Sequence, residues 1–187
     1  MDERLVVSIV CPFFNESGGV DTFYRSLSAE LDRLSDYQFE VICIDDGSQD
    51  ETLAELLANA QNDDRYRVLE LSRNFGKEAA LSAGLDVALG DLVITLDADL
   101  QDPLSLIEKL ILAWEQSDAD VVLAKRHDRS SDSPSKRVSA RAYYKLHNLL
   151  SSVKIPVDVG DCRLMTRQVV QALSSLPETQ RFMKGLF

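Results

Sequence analysis

Cysteine is scarce in this sequence. The 187 residues hold three, Cys11, Cys43 and Cys162, an odd number with no C-x-x-C pair or zinc-type spacing. A disulfide framework is not expected; Cys11 and Cys43, set inside apolar runs, read as small buried hydrophobes in a reducing compartment. Long apolar runs are missing as well, and no uncharged stretch approaches the ~20 residues that span a bilayer. The opening Met1-Asp2-Glu3-Arg4 is acidic and lacks the basic and apolar regions of a secretory signal. Positive charge is short: 20 Lys and Arg against 31 Asp and Glu give a net charge of −11. That balance lacks the basic footprint of a nucleic-acid binder, so no nucleic-acid partner is expected. There is no G-x-G-x-x-G and no G-x-x-x-x-G-K-[ST], so dinucleotide-binding and P-loop readings lack their phosphate loops. G-x-S-x-G is absent too. His127 and His147 have no H-E-x-x-H or triad context and read as surface or packing residues.

What remains is an ordinary globular mixture, 45% hydrophobic and 27% charged. Its length fits one compact domain able to bury a real core. Apolar runs alternate with helical patterns. Leu5–Cys11, Phe39–Ile44, Arg67–Leu71, Leu92–Leu96 and Asp120–Ala124 read as strands. Val20–Leu34 is apolar at Val20, Phe23, Tyr24, Leu27, Leu31 and Leu34, which is helical spacing. Ser48 and Glu51 form a capping-box pattern before a second helix, and Lys77–Leu89 is helical in period. Asp102-Pro103 supplies an N-cap and an N1 proline for a helix running to Gln116. Residues 127–136 read as a polar loop, Val138–Ser151 and Gln168–Leu176 as helices, and 157–166 as a return to the sheet. Strands separated by helices predict an α/β fold with a mostly parallel central sheet covered on both faces.

In such a sheet ligands bind beyond the carboxyl ends of the strands. The residues found there are Pro12-Phe13-Phe14-Asn15-Glu16, Asp45-Asp46-Gly47-Ser48, Arg73-Asn74-Phe75-Gly76-Lys77, Asp97-Ala98-Asp99-Leu100-Gln101-Asp102 and Lys125-Arg126. Asp97 and Asp99, one residue apart at a strand tip, suit an oxygen-loving Mg²⁺ or Mn²⁺, and Gln101 can add a neutral oxygen. An isolated D-x-D reads better as a solvated turn with Asp102 as a helix cap; its position at this strand tip raises the metal reading above that one. Asp45 and Asp46 end a buried strand, where ionised side chains are costly unless paired; one of them could accept hydrogen bonds from a base or ribose. Asn15 and Glu16 fit a helix start or a ligand contact equally.

Charge is unevenly spread. Lys125–Lys154 carries eight Lys or Arg and two Asp, a local +6 that leaves −17 on the rest. A cationic segment on an acidic chain points to a phosphate-bearing ligand or an anionic membrane surface. A solvated basic helix face competes with that reading for Arg141 and Lys145, and less for Arg126, which directly follows a strand.

The stretches CPFFNE (11–16), IDDGSQDET (44–52), LSRNFGKEAALSAGLD (71–86), DADLQDP (97–103), AKRHDRS (124–130), YKLHN (144–148) and VGDCRLM (159–165) cover nearly the whole chain. In this order they resemble the family 2 glycosyltransferases that act on polyprenyl phosphates, and RNFGKE, DLQDP and GDCRLM resemble the bactoprenol glucosyltransferase branch. The resemblance implies a Rossmann-like GT-A fold in one domain over 1–187, with a nucleotide-sugar half (1–124) and an acceptor half (125–187). It implies an inverting transfer of a hexose, glucose from UDP-glucose, to a polyprenyl phosphate. Pro12, Phe14, Asn15, Glu16, Asp45 and Asp46 are implied to line the nucleotide pocket, and Arg73 and Lys77 to lie near the nucleotide sugar. Asp97, Ala98 and Asp99 are implied at the donor, with Asp97, Asp99 and Gln101 on the metal. Arg126, Arg129 and Arg137 are implied on the acceptor phosphate, and Asp161 matches an active-site acid. Cys11 and Cys162 stand where the family more often has Val and Phe, a change of packing more than of chemistry.

Family members continue into amphipathic and transmembrane helices. The expectation is therefore a catalytic piece of a protein on the cytoplasmic face of the bacterial inner membrane, with self-association open. Two other classes stay open on the residues: a haloacid-dehalogenase-like phosphatase using Asp97 as nucleophile, and a non-catalytic nucleotide-sugar-binding module. The phosphatase fold normally carries its D-x-D after the first strand, not the fourth.

Overall fold

The computed structural model describes residues 4–125 and 159–175. Within them six strands form one sheet: β1 (Val6–Phe13), β2 (Gln38–Asp45), β3 (Tyr66–Glu70), β4 (Leu92–Thr95), β5 (Val121–Lys125) and β6 (Val159–Thr166). Five helices accompany them: α1 (Val20–Arg33), α2 (Thr52–Asn62), α3 (Lys77–Val87), α4 (Leu106–Glu115) and α5 (Arg167–Ser174). No helix of the described residues is long and apolar enough to cross a membrane. The strand order is β3-β2-β1-β4-β6-β5. The α/β class and the mostly parallel sheet expected from the sequence are both present.

The strands read as continuous apolar runs because both faces are covered. Along β2, Val41 and Cys43 face one core while Ile42 and Ile44 face the other, the two-residue period of a pleated strand. The first core takes Phe23, Leu27 and Leu31 of α1, Leu56 of α2 and Ile107, Leu110 and Ile111 of α4. Phe13 and Phe23 meet there edge to face, ring centres 5.2 Å apart. The second core takes Ala80, Leu81 and Leu85 of α3 with Val170 and Leu173 of α5. Close approach of α3 to the sheet depends on Gly84, where a β-carbon would lie 2.5 Å from Val10 Cγ1 and 2.7 Å from Ile44 Cδ1.

Several details depart from the expectations. β6 is antiparallel and inserts between β4 and β5, pairing Thr95 with Arg163 and Leu123 with Arg163. Nothing in an apolar run states its direction. Ser48 does not cap α2, which begins at Thr52; its hydroxyl accepts the Asn15 N–H (3.0 Å), while Asp50 receives the Thr52 N–H (3.0 Å). The helix expected from Asp102-Pro103 begins instead at Leu106, preceded by a turn closed from Leu106 N–H to Pro103 O. The 127–136 loop and the Val138–Ser151 helix lie outside the described residues.

Candidate active site

β1 to β4 run parallel, and β5 runs with them because both it and β4 oppose β6. Their carboxyl ends therefore share one edge of the sheet. The amino end of β6 reaches that edge from the opposite direction. A cleft of about 270 Å³ opens there, lined by Pro12, Phe13, Phe14, Glu16, Asp46, Asn74, Gly76, Lys77, Asp97, Ala98 and Asp99. Four separate strand ends thus converge on one space. A larger groove, about 550 Å³, lies between Arg4, Arg33, Tyr37 and Glu115, at the start of β1 and β2. It holds none of the residues singled out at the strand tips.

Ion pairing and backbone donors organise the cleft. Lys77 Nζ lies 2.7 Å from Asp97 Oδ1 and 2.8 Å from Oδ2. Asp99 Oδ1 accepts the Gln101 N–H at 3.0 Å, closing a tight turn that Leu100 enters with φ +55°. A leucine there costs about 1–2 kcal/mol; its side chain is anchored against the first core. This strained residue sits between Asp99 and Gln101, where local strain is commonly kept for function.

Asp46 is 2% exposed, and its carboxylate accepts the N–H of Phe75 and of Gly76, both at 2.8 Å. The costly buried charge is thus compensated by the loop that leads into α3. Gly76 has φ +95°, a conformation that suits glycine. Asp45 is equally buried; its Oδ2 accepts the Ser48 N–H at 3.1 Å, and its Oδ1 has no partner among the described residues.

Other expected residues hold the rim together. Asn15 has φ +54°, and its Oδ1 accepts the Gln49 N–H at 2.8 Å. The Glu16 N–H reaches Thr52 Oγ1 at 2.8 Å, which latches the end of β1 to the start of α2. Arg73 stacks its guanidinium 4.3 Å from the centre of the Phe75 ring. Asn15, Asp45, Arg73 and Gln101 do not line the cleft. Phe13, Asn74 and Gly76 do, and nothing but their place beside stronger motifs marked them in the sequence. Asp161 falls on β6, two residues before Arg163, while Asp97 lies two residues beyond Thr95, the partner of Arg163. The antiparallel register brings the two backbones toward the same edge. Arg126, Arg129 and Arg137 lie outside the described residues.

No group of three or more His, Cys, Asp or Glu side chains able to hold a metal occurs among the described residues. Asp97 and Asp99 still supply hard carboxylate oxygens on one short turn. Such a pair fits a magnesium-like ion, which commonly takes one or two protein carboxylates and completes its shell with water and phosphate oxygens.

The sheet thus carries a D-x-D turn and a lysine on the wall of one cleft at the strand tips. The model of "Glycosyl transferase family 2" matches residues 8–174, and the chain belongs to that family. It is 48% identical over 180 residues to a bactoprenol glucosyl transferase of Shigella phage SfX, covering 96% of this chain and 58% of that protein. A prophage bactoprenol glucosyl transferase homologue of Escherichia coli K12 matches with the same identity and coverage. The chain thus spans 58% of the length of these relatives. Among solved structures, the mannosyltransferase PcManGT of Pyrobaculum calidifontis, in complex with GDP-Man and Mn²⁺, shares the fold. Its TM-score is 0.67 at 19% identity, over 99% of this chain and 51% of that one. The glucosyl-3-phosphoglycerate synthase of Mycobacterium tuberculosis, in complex with UDP, gives a TM-score of 0.62 at 22% identity, over 88% of this chain and 58% of that one. The GT-A expectation holds, and the phosphatase alternative loses its support.

Proposed function

We propose that this chain is the catalytic part of an inverting glycosyltransferase that moves glucose from UDP-glucose to a polyprenyl phosphate. The reaction is placed at the cytoplasmic face of the bacterial inner membrane. Residues 1–124 would hold the donor and 125–187 the acceptor. The observation that carries this reading is the convergence of Asp97, Asp99 and Lys77 on one cleft with the Pro12–Phe14 wall. The names of the relatives support the sugar and the lipid.

Asp97 and Asp99 would hold Mg²⁺ or Mn²⁺, which, when bound, stabilises negative charge on a departing diphosphate. Pro12 and Phe14 offer an apolar wall to the flat base. Glu16, exposed at the cleft mouth, would accept hydrogen bonds from ribose hydroxyls. Asp46 and Asn15 act one step back, holding the loops in place. A phosphate monoester has its second pKa near ~6 and is already largely dianionic at neutral pH. It needs charge compensation and alignment rather than removal of a proton. Arg126, Arg129 and Arg137 would give it bidentate contacts. Asp161 would then orient the sugar or those guanidinium groups.

The test is a thermal-shift panel of UDP- and GDP-sugars with and without Mn²⁺, because a ligand that binds the folded state raises its apparent stability. UDP-glucose with Mn²⁺ should give the largest shift, and Asp97→Asn and Asp99→Asn should remove the metal-dependent part. A second arm follows glucose transfer to polyprenyl phosphate, with Asp161→Asn as the variant. Equal responses to all nucleotides, or Mn²⁺ effects unchanged in both Asn variants, would overturn the donor reading. Unaltered turnover in Asp161→Asn would remove that residue from the active site.

A further inference from the structure

Lys77 and Asp97 stand in a relation that the donor reading alone does not require. Lys77 opens α3, and its ammonium spans the cleft to contact both oxygens of Asp97, at 2.7 and 2.8 Å. The carboxylate is about one-fifth exposed, and its charge is already neutralised. A magnesium-like ion bonds a carboxylate oxygen at about 2.0–2.1 Å. With Lys77 in its present position, such an ion on Asp97 would lie within roughly 5 Å of the ammonium, a separation at which like charges repel strongly in a partly dry cleft.

We infer that Lys77 is the internal counter-ion of Asp97: it holds free divalent cations off the D-x-D turn and yields when a diphosphate enters. The ammonium then passes from the carboxylate to the diphosphate oxygens, and the carboxylate becomes available to the cation. No covalent bond changes; only charge partners are exchanged. The fold suits this motion. The backbone just before Lys77 is fixed, because Asp46 grips the N–H groups of Phe75 and Gly76, while the four-carbon stem of lysine has the rotatable bonds through which an ammonium can change partners. The consequence is cooperative binding: diphosphate strengthens the cation and the cation strengthens diphosphate by the same factor. Lys77 is thus a positioning residue that times metal entry. This inference rests on the donor reading.

The test measures Mn²⁺ binding through the electron paramagnetic resonance signal of the free ion, with and without saturating UDP, in the wild type, Lys77→Met and Lys77→Arg. Met keeps the stem and removes the charge; Arg keeps the charge. In Lys77→Met, Mn²⁺ alone should bind about tenfold more tightly than in the wild type, and the UDP-induced gain should shrink by about the same factor, within the usual range of site-to-site coupling. Lys77→Arg should retain most of the wild-type coupling. Melting curves establish that each variant is folded, and Lys77→Arg carries the comparison if Lys77→Met is not. Equal Mn²⁺ affinity in wild type and Lys77→Met, with equal gains from UDP, overturns the inference while leaving the donor reading intact. Loss of wild-type coupling in Lys77→Arg, together with unchanged binding of Mn²⁺ alone, overturns it too. If the wild type binds no UDP even with Mn²⁺, the donor reading falls, and this inference with it.

Discussion

The Asp46 carboxylate accepts the Gly76 N–H at 2.8 Å, tying the end of the second strand to the start of the third helix. Its other oxygen holds the neighbouring Phe75 N–H. Asp46→Ala leaves both donors without their partner, at a cost of about 1–3 kcal/mol. Because Lys77 follows Gly76 directly, the variant should also weaken UDP binding in the presence of Mn²⁺ by about tenfold, equivalent to ~1.4 kcal/mol. Calorimetric titration and a melting curve check the two effects. Unchanged UDP affinity would show that the loop keeps its shape without the carboxylate.

Gly47 is the next point of contact between the same two segments. It has φ +69°, and a β-carbon on it would lie 2.4 Å from the Arg73 carbonyl carbon. That neighbour is backbone, so a substitution must move the loop. Gly47→Ala should lower stability by about 1–3 kcal/mol and raise the KM for the sugar nucleotide. Chemical denaturation and steady-state kinetics report the two. A melting temperature equal to that of the wild type would contradict the packing argument.

Much of this was legible in the residues. The alternation of apolar runs and helical periods gave the sheet, and the polar clusters after each run gave the edge where the cleft opens. The direction of β6 was not legible, because VGDCRLM reads the same in either orientation and only its pairing with β4 decides. Nor was the division of labour between Asp45 and Asp46. Both are acids ending a buried strand, yet Asp46 is consumed by the N–H groups of a loop some thirty residues further on, a contact that no local pattern encodes. Ser48 followed a capping rule by its spacing, but the nearby Asn15 backbone competed for its hydroxyl and won.

Acid sensitivity should trace to the opposite edge of the sheet. Burial pushes the Glu40 carboxyl up, but hydrogen bonds from Ser8, Leu89, Arg67 and Gly90 together hold it below its ordinary value of 4.5. A group depressed in the folded state stabilises fully above its unfolded value and loses that stabilisation as pH falls through the folded one. Stability should therefore decline below about pH 4.5. Glu40→Gln should lower stability at neutral pH and flatten the decline. The slope should persist in part, because Thr52 and Ser17 hold Asp50 at about 2 and Arg65 holds Asp63 low. Melting temperature against pH for the two proteins tests this, and parallel curves would exclude Glu40 as a source.

The thiols should be silent in the native protein. Cys11, Cys43 and Cys162 are all buried, and burial pushes Cys43 and Cys162 up to about 12 and Cys11 well above its usual range. Thiolate is the reactive form. Ellman's reagent at pH 8 should find no accessible thiol in the folded chain and three after denaturation. Rapid labelling of the native protein would mean that one of the core faces opens readily.

The antiparallel insertion of β6 also bears on biosynthesis. β1 to β4 can associate as each leaves the ribosome, but β5 ends at Lys125 and, among the described residues, pairs only with β6, which finishes at Thr166. At roughly 5–20 residues per second, the intervening stretch takes about 2–8 s to emerge. During that interval β4 lacks its neighbour on that side, so the β4-β6-β5 side is the last part of the described sheet to close.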